Sequence, residues 1–280
     1  MTFLKSLALA LSTFSTIPVP RVQWSGRNMR YMMCAFPLVG VVIGAAQFAW
    51  LVLFCIVSRV TGLQYAPVSH IVPLVTLLIP VALTGGIHLD GFMDTCDALA
   101  SRADIGRKLE IMRDPRCGAF AVLGCVLYFL AQYALLSQFC GYLFAGGTDL
   151  RRFIGDALIL RPAAAASLIF VQSRLLSALA VIVFPCARES GLACSFKSSG
   201  AGMFAVVWCV IWLAAVSILA VFALGRSGAA VTAASFAVFA WYFFITRRSF
   251  GGITGDTAGF FVQMSEIVSL AAAVLSSVIG

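Results

Sequence analysis

Long apolar segments, separated by short polar ones, cover most of the chain and predict helices that cross a membrane. A helix needs roughly 18 or more apolar residues to span a bilayer. Alternation of apolar and polar residues over about 10-residue segments, the pattern of an outer-membrane barrel, is absent. We therefore predict an all-α, polytopic integral membrane helical bundle with about seven transmembrane helices. The candidate spans, within one domain of residues 1–280, are 32–57, 67–87, 118–145, 157–187, 201–225, 228–246 and 259–279.

The composition agrees with this class of protein. Hydrophobic residues make up 61% of the chain and charged residues 11%, against roughly 25% charged residues in a soluble domain. The net charge of +8 is explained by Lys and Arg in cytoplasmic loops, since membrane proteins accumulate them there. No RNA- or DNA-binding motif accompanies these residues, so we expect the lipid bilayer and no nucleic acid as a partner.

The distribution of Lys and Arg predicts the orientation of the chain in the membrane. Segment 157–187 contains two prolines and two arginines, and it is either one interrupted helix or two short ones. If it crosses once, three polar segments share the cytoplasmic face: 88–116, 188–200 and 247–258. Arg151 and Arg152 would then face outward, which weakens the pattern.

The nine cysteines show no CxxC spacing. Most of them lie in apolar segments, where cysteine acts as a small hydrophobic residue. We therefore predict neither a disulfide framework nor a zinc site.

Carboxylates are concentrated in one short part of this acid-poor chain. Asp90, Asp94 and Asp97 stand at positions i, i+4 and i+7, which share one face of a helix. Repulsion between neighbouring carboxylates is on the order of 1–4 kcal/mol unless a cation or protons intervene. Oxygen ligands with open positions suit Mg²⁺ or Mn²⁺. Six of the 11 acids fall in this region: Asp90, Asp94, Asp97, Asp104, Glu110 and Asp114.

A second carboxylate pair, Glu110 and Asp114, is interleaved with basic residues that suit a phosphate or diphosphate. The alternative is a solvated loop with ordinary salt bridges, which we favour for Asp104 and its neighbours Arg102 and Lys108. The basic residues are Arg107, Lys108, Arg113 and Arg116.

Two glycine-rich segments flank further candidates. Gly85-Gly86 would loosen the end of a helix before His88, which is either a proton donor or a hydrogen-bonded structural residue. The segment GGITGDTAGF, residues 251–260, would expose backbone N–H groups to phosphate oxygens, with Asp256 as a further metal ligand.

Two more charged residues lie in the apolar spans. Glu266 needs a buried partner. Arg174 either extends its charge to the membrane surface or reaches an anionic substrate from within the bundle.

These segments together resemble the cobalamin synthase family, the adenosylcobinamide-GDP ribazoletransferases. The resemblance covers the whole chain in order and spacing. Its strongest parts are TGGIHLDGFMDTCDAL (84–99), LEIMRDPRCGAFAVLG (109–124) and GGITGDTAGFFVQMSE (251–266). Weaker parts are FSTIPVP (14–20) and SRLLSALAVIVFPCARESGL (173–192). Pro115 and Cys117 depart from the family pattern, where a small polar and an aliphatic residue are expected.

The resemblance implies a Mg²⁺-dependent enzyme of the bacterial inner membrane, with its active site facing the cytoplasm. Its small-molecule substrates would be adenosylcobinamide-GDP and α-ribazole or α-ribazole 5′-phosphate, and GMP would leave as the nucleotide loop of cobalamin closes. A homo-oligomer is possible. The residues expected to act are catalytic Asp90, Asp94, Asp97 and His88; substrate-binding Glu110, Arg113, Arg116, Arg174 and Gly255; and metal-binding Asp90, Asp94, Asp97, Asp114 and Asp256.

Two alternatives stay open from the residues alone. One is a membrane phosphotransferase acting on a CDP-alcohol, although the stricter D-x-x-D-G…G-x-x-x-D-x-x-x-D arrangement is missing. The other is a cation-coupled transporter, which would spread its acids near the bilayer midplane on broken helices.

Overall fold

The structure is a computed structural model that describes residues 2–145, 147–188 and 191–278. The regular elements of this part of the chain are helices, which confirms the predicted all-α class. They are α1 (Thr2–Phe14), α2 (Gly26–Met29), α3 (Met32–Thr61), α4 (Ile71–Thr84), α5 (Ile87–Ala100), α6 (Ile105–Ile111), α7 (Ala119–Phe144), α8 (Leu150–Gly155), α9 (Ala157–Val183), α10 (Leu192–Ser199), α11 (Met203–Phe250) and α12 (Gly255–Val278), with a 3-10 turn at Ala66–Val68.

Five helices among the described residues are long and apolar enough to cross a membrane: α3, α7, α9, α11 and α12. The consecutive helices α4 and α5 pass the same test together, but they are bent by 94° at their junction. They are therefore a broken sixth span or a re-entrant pair. This arrangement confirms a polytopic membrane bundle.

Helix α11 contains a reversal that accounts for two of the predicted spans. Gly225 interrupts it with φ 61° and ψ −136°. A side-chain Cβ at Gly228 would lie 2.0 Å from the Ala220 carbonyl oxygen, so the chain folds tightly back here. The first arm, residues 203–224, and the second, 226–250, correspond to the predicted segments 201–225 and 228–246. Counting the two arms separately gives six spans, and counting the bent α4–α5 pair as one more gives the predicted seven.

Helix α9 runs through the centre of the bundle as a single helix, which resolves the open question about segment 157–187. It packs against α3, α11 and α12. Gly40 and Gly44 of α3 permit the closest approach, because a Cβ at these positions would lie 2.2 Å and 2.4 Å from carbonyl oxygens of Phe170 and Ser167. Small residues four apart bring membrane helices together in this way.

The three predicted polar segments meet at one end of the bundle. The Ile253 N–H donates to the Pro185 carbonyl (2.8 Å), and the Ala187 N–H donates to the Ile253 carbonyl (3.0 Å). The Arg188 guanidinium donates to the Leu109 carbonyl (2.5 Å). Hydrogen bonds thus join segment 88–116 to Arg188, and segment 247–258 to Pro185 and Ala187 just before it. The three segments lie at one end of the bundle, as the single crossing of α9 predicts.

The prediction that the chain contains no disulfide is wrong at one position. Cys186 and Cys194 are bonded, with Cα atoms 6.0 Å apart, a separation that suits a disulfide. The turn between α9 and α10 brings them together, and their spacing of eight residues carries no recognisable signature in the sequence. The other cysteines are free.

Candidate active site

Helix α5 carries three of the candidate carboxylates across the polar end of the bundle. Gly85 and Gly86 form the break that precedes it, with φ of 63° and 78°, in the left-handed region that glycine adopts without strain. Thr16 completes the end of α4 through its hydroxyl, which donates to the Ala82 carbonyl (2.9 Å), and its N–H, which donates to the Leu83 carbonyl (2.8 Å). The glycine pair therefore acts as predicted, ending one helix and redirecting the next.

Two glycines let α5 and α12 cross at backbone contact. A Cβ at Gly91 would lie 2.7 Å from the Asp256 carbonyl oxygen, and a Cβ at Gly259 would lie 2.9 Å from the His88 carbonyl oxygen. The crossing brings Asp256 beside the acidic face of α5. It also explains why glycine directly follows Asp90 in the sequence.

Four carboxylates consequently form one acidic cluster: Asp90, Asp94, Asp97 and Asp256. Asp94 is repelled by the other three. Asp90 is exposed and the other members are partly buried. Among the described residues, none of the four forms a salt bridge with Lys or Arg, and no three His, Cys, Asp or Glu side chains converge into a ready-made ligand set. This donor set fits Mg²⁺, which typically uses one or two carboxylates together with water and substrate phosphates.

Asp97 is positioned by the start of α7. A Cβ at Gly118, the residue that precedes this helix, would lie 2.1 Å from both Asp97 carboxylate oxygens. The carboxylate therefore occupies the space that any other side chain at position 118 would fill. The amino end of a helix also favours negative charge electrostatically.

Arg188 joins the cluster, although sequence reasoning did not select it for a role. Partial burial lowers the pKa of its guanidinium, and repulsion from Arg113 lowers it further, whereas attraction to Asp256 acts in the opposite direction. Arg188 therefore lies near Asp256 on one side and near Arg113 on the other. Two guanidinium groups next to carboxylates suit a diphosphate held with a metal ion. The sequence offered one indication of this role. Arg188 begins segment 188–200, which was predicted to lie on the same membrane face as the carboxylates of segment 88–116.

The second acidic pair is not drawn into the cluster. Arg107 bonds Glu110 (2.8 Å), and Arg116 bonds both carboxylate oxygens of Asp114 (2.9 Å and 2.7 Å). Hydrogen bonds from Arg116 lower the pKa of Asp114 to about 2. The predicted roles of Asp114 in metal binding and of Glu110 and Arg116 in substrate binding receive no support, because neighbouring residues already pair these groups locally.

Arg174 forms a buried ion pair with Glu266, and the two side chains are 1% and 3% exposed. The guanidinium also donates to the Ser173 hydroxyl (3.0 Å). The expectation that Glu266 needs a buried partner is confirmed. The Glu266 carboxylate already pairs with Arg174 inside the bundle, and the predicted substrate-binding role of Arg174 stays a prediction.

The Gly251–Phe260 segment differs from the predicted phosphate loop. The N–H groups of Gly252 and Ile253 donate to the Thr246 carbonyl (3.2 Å) and the Pro185 carbonyl (2.8 Å), respectively. These donors are therefore already used within the protein. Thr254 caps α12 by accepting the Thr257 N–H (3.1 Å). Gly255 remains exposed at the start of α12, beside the acidic cluster.

His88 points into the bundle and contacts aromatic rings. Its ring centroid is 5.9 Å from that of Phe14 and 5.7 Å from that of Phe36. The side chain is 5% exposed. His88 thus faces the interior of the bundle, whereas Asp90 on the same helix is exposed. Nothing in these contacts marks His88 as a proton donor to the acidic cluster.

Comparison with known proteins gives one family over nearly the whole chain. The family model described as cobalamin-5-phosphate synthase matches residues 6–274. A protein of Lachnoclostridium phytofermentans is 33% identical over 99% of this chain and 95% of its own length. Proteins of Clostridium botulinum and Geobacillus kaustophilus are 31% and 32% identical, over 97% and 93% of this chain and 97% and 91% of their own lengths. All three are named adenosylcobinamide-GDP ribazoletransferase. No solved structure matches.

Proposed function

This chain belongs to the cobalamin-5-phosphate synthase family, and we propose that its acidic cluster carries out the transfer for which its relatives are named. Adenosylcobinamide-GDP is joined to α-ribazole or α-ribazole 5′-phosphate, and GMP is released. The observation that carries this proposal is the meeting of four carboxylates with Arg113 and Arg188 at one polar end. A negatively charged diphosphate needs both cations and metal ligands at such a site.

One or two of the carboxylates Asp90, Asp94, Asp97 and Asp256 would hold Mg²⁺ together with substrate oxygens and water. When bound, the ion would neutralise the diphosphate and make its phosphorus more electrophilic. The open donor set supports this assignment, because it leaves coordination positions for substrate oxygens. The repulsion within the cluster supports it too, since a divalent cation relieves that repulsion.

The side chains then have distinct tasks in the transfer. Arg113 and Arg188 orient the diphosphate so that the phosphorus next to cobinamide faces the acceptor. A ribose hydroxyl oxygen of the ribazole forms the new P–O bond as the bond to GMP breaks. A carboxylate of the cluster accepts the hydroxyl proton.

The acidic cluster would face the cytoplasm of a bacterial inner membrane. The polar end that holds it also carries most of the basic residues, whereas the opposite end carries few. Basic loops stay on the cytoplasmic side. The basic residues of the polar end include Arg102, Arg107, Lys108, Arg113, Arg116, Arg188, Lys197, Arg247 and Arg248.

The decisive experiment is GMP release by the purified protein in lipid vesicles, with Mg²⁺, adenosylcobinamide-GDP and α-ribazole. We expect release that requires both substrates and stops when EDTA removes the metal. Asp114→Asn is a matched control, because Asp114 is a carboxylate of the same region that lies outside the cluster. CMP release from a CDP-alcohol, with no GMP release from the expected pair, would overturn the proposal.

A transporter is a weaker interpretation of the same residues. It predicts acids near the bilayer midplane, whereas the four carboxylates lie at one end. Cation flux into vesicles without nucleotide release would favour it.

A further inference from the structure

An open apolar groove runs along the side of the bundle between α3, α9 and the first arm of α11. Its volume is about 570 Å³. Gly44 and Ser167, which bring α3 and α9 into close contact, line it. Along α11 it extends from Trp208 to Leu224, which is about 24 Å of helix at 1.5 Å per residue. The groove therefore follows most of the roughly 30 Å hydrocarbon core of a bilayer.

The wall of this groove suits a hydrocarbon. The Ser167 hydroxyl donates to the Ala163 carbonyl (3.1 Å), and the Trp208 indole N–H donates to the Cys34 carbonyl (3.3 Å), so these polar groups are already used within the protein. The exposed side chains along the groove include Leu38, Val41 and Leu219. A nucleotide placed here would lose its hydrogen bonds with water and gain few in return. The wall therefore favours an apolar occupant over a substrate.

The volume of the groove matches one long acyl chain. A water-sized group such as a methylene takes up roughly 30 Å³, so a groove of about 570 Å³ holds on the order of 19 of them. Lipid tails and apolar side chains attract each other only through close van der Waals packing in a membrane, so a groove of matching size and shape is what distinguishes a bound chain from bulk lipid.

One end of the groove lies where α1 meets the start of α3. Phe3 of α1 lines the groove, and its ring centroid is 6.5 Å from that of Tyr31. The Arg30 guanidinium carbon lies 5.5 Å from the centroid of the Tyr31 ring. The Tyr31 N–H donates to the Ser6 hydroxyl (3.3 Å), so Lys5, the neighbour of Ser6, belongs to the same corner.

This corner has the chemistry of a headgroup site. Lys5 and Arg30 are exposed, and neither forms a salt bridge within the described residues. Basic side chains near a membrane surface attract anionic lipids, and a guanidinium matches the geometry of a phosphate. Tyr31 and Trp208 lie at this end, and such amphipathic rings are typical of the headgroup level. The opposite end is lined by Ala223 and Leu224.

We propose that this groove binds one acyl chain of an anionic phospholipid, whose headgroup phosphate is held by Arg30 and Lys5. The lipid then covers the seam between α3, α9 and the first arm of α11. The residues that line the groove include no member of the acidic cluster, and the proposal does not depend on the transfer reaction. It replaces a general partner, the bilayer, by one lipid class at one site.

Two tryptophans in the wall report whether the groove is occupied. Trp208 and Trp212 line it, and bromine on an acyl chain quenches indole fluorescence on contact. The purified protein in a neutral detergent is titrated with phosphatidylglycerol that carries brominated chains. We expect saturable quenching at about one lipid per protein, and its loss in Trp208→Phe/Trp212→Phe. Quenching that rises without saturation, or saturation that survives in the double variant, would contradict the proposal.

A matched pair of variants tests the groove itself. Ala45 and Ala49 are both exposed on α3, and of the two only Ala45 lines the groove. Ala45→Phe should weaken binding of the brominated lipid about tenfold, because the added ring competes with the chain for space. Ala49→Phe should leave the affinity within twofold of the wild type. Equal affinities in the two variants would place the lipid elsewhere and refute the groove.

The headgroup is tested by charge and by position. Arg30→Gln should weaken binding of brominated phosphatidylglycerol about fivefold, the usual effect of one basic residue near an anionic membrane surface. Arg226→Gln is the control, because Arg226 is exposed and follows Leu224 at the opposite end of the groove. Brominated phosphatidylcholine should bind more weakly to the wild type and be insensitive to Arg30→Gln.

Three results would overturn this assignment. Equal affinity of the wild type for the two lipids would exclude an anionic headgroup. A loss in Arg226→Gln in place of Arg30→Gln would put the headgroup at the wrong end. A wild-type dimer that Ala45→Phe converts into monomers would identify a second copy of the chain as the occupant.

Discussion

The acidic cluster and the Arg174–Glu266 pair differ in how their charges are balanced within this largely hydrophobic protein. Inside the bundle, Glu266 has a direct cationic partner, Arg174, and accepts one hydrogen bond from the Ser173 hydroxyl (3.4 Å). At the polar end, Asp94 has three negative neighbours, and the cluster forms no salt bridge among the described residues. In the first arrangement, each charge is balanced by an opposite charge within the protein. In the second, the negative charges lack such partners among the described residues, and this is the arrangement that we propose carries out the chemistry.

This difference also corrects a tempting interpretation of charged residues in membrane helices. An intramembrane ionisable residue is a functional candidate by default, and Arg174 fits that description from sequence alone. Its pairing with Glu266 shows that burial by itself does not identify a substrate ligand. A carboxylate without a cationic partner among the described residues is a better indication of a ligand site than a buried charge.

The largest expected effect comes from removing one charge of the cluster. Asp94→Asn should reduce GMP release by about a thousandfold, because metal ions contribute several kcal/mol to transition-state stabilisation. The thermal midpoint without metal should stay the same or rise, since repulsion is relieved. Added Mg²⁺ should raise the midpoint of the wild type more than that of the variant. Near-normal turnover in Asp94→Asn would remove the basis for the metal assignment.

Breaking the buried pair should instead affect stability. Arg174→Met should destabilise the protein by about 3–5 kcal/mol, because Glu266 is left as an uncompensated buried carboxylate. The double variant Arg174→Met/Glu266→Leu should regain most of the loss. Thermal unfolding in detergent measures both. A double variant as unstable as Arg174→Met, or one that folds but no longer binds substrate, would point to a role beyond pairing.

Displacing Asp97 tests whether position within the cluster matters. Gly118→Ala forces the Asp97 carboxylate to move, and misplacement by about 1 Å can cost roughly a hundredfold in rate. The matched control is Gly141→Ala within α7, the helix that Gly118 precedes, because a Cβ at Gly141 meets nothing within 4 Å. GMP release should fall only in the first variant. Similar rates in both would mean that Asp97 does not need its present position.

The smallest effect should distinguish the arginines. Arg113→Lys should reduce turnover about tenfold, because Lys keeps the charge but loses bidentate geometry, and a charged hydrogen bond contributes about 1.5 kcal/mol. Arg102→Lys should have little effect, as it is exposed and has no partner in the cluster. Steady-state rates at saturating Mg²⁺ compare the two. Equal losses would argue against a specific contact of Arg113 with substrate.

Features that depend on local spacing were predictable from the sequence. The i, i+4, i+7 acids share one helix, and Gly85-Gly86 breaks the chain where the glycines stand. The convergence of the polar segments followed from counting crossings, because an even number of spans returns the chain to the same face.

Features that depend on tertiary contacts were predictable only in part. Asp256 was expected on the same face as Asp94, but the helix crossing at Gly91 and Gly259 that brings the two together could not be read from the sequence. Conversely, Asp114 is a carboxylate of the acidic region, as a metal ligand would be, but its two oxygens accept hydrogen bonds from the Arg116 guanidinium two residues later.

The bonds from Thr16 to the end of α4 have a consequence for biogenesis. The chain leaves the ribosome from its amino end, so Thr16 emerges long before Ala82 and Leu83 exist. Until the two meet, the last carbonyls of α4 lack these partners within or near the bilayer. The corner before α5, whose direction is set by Gly85 and Gly86, therefore gains these two hydrogen bonds only after residues 82 and 83 have been synthesised and have met Thr16.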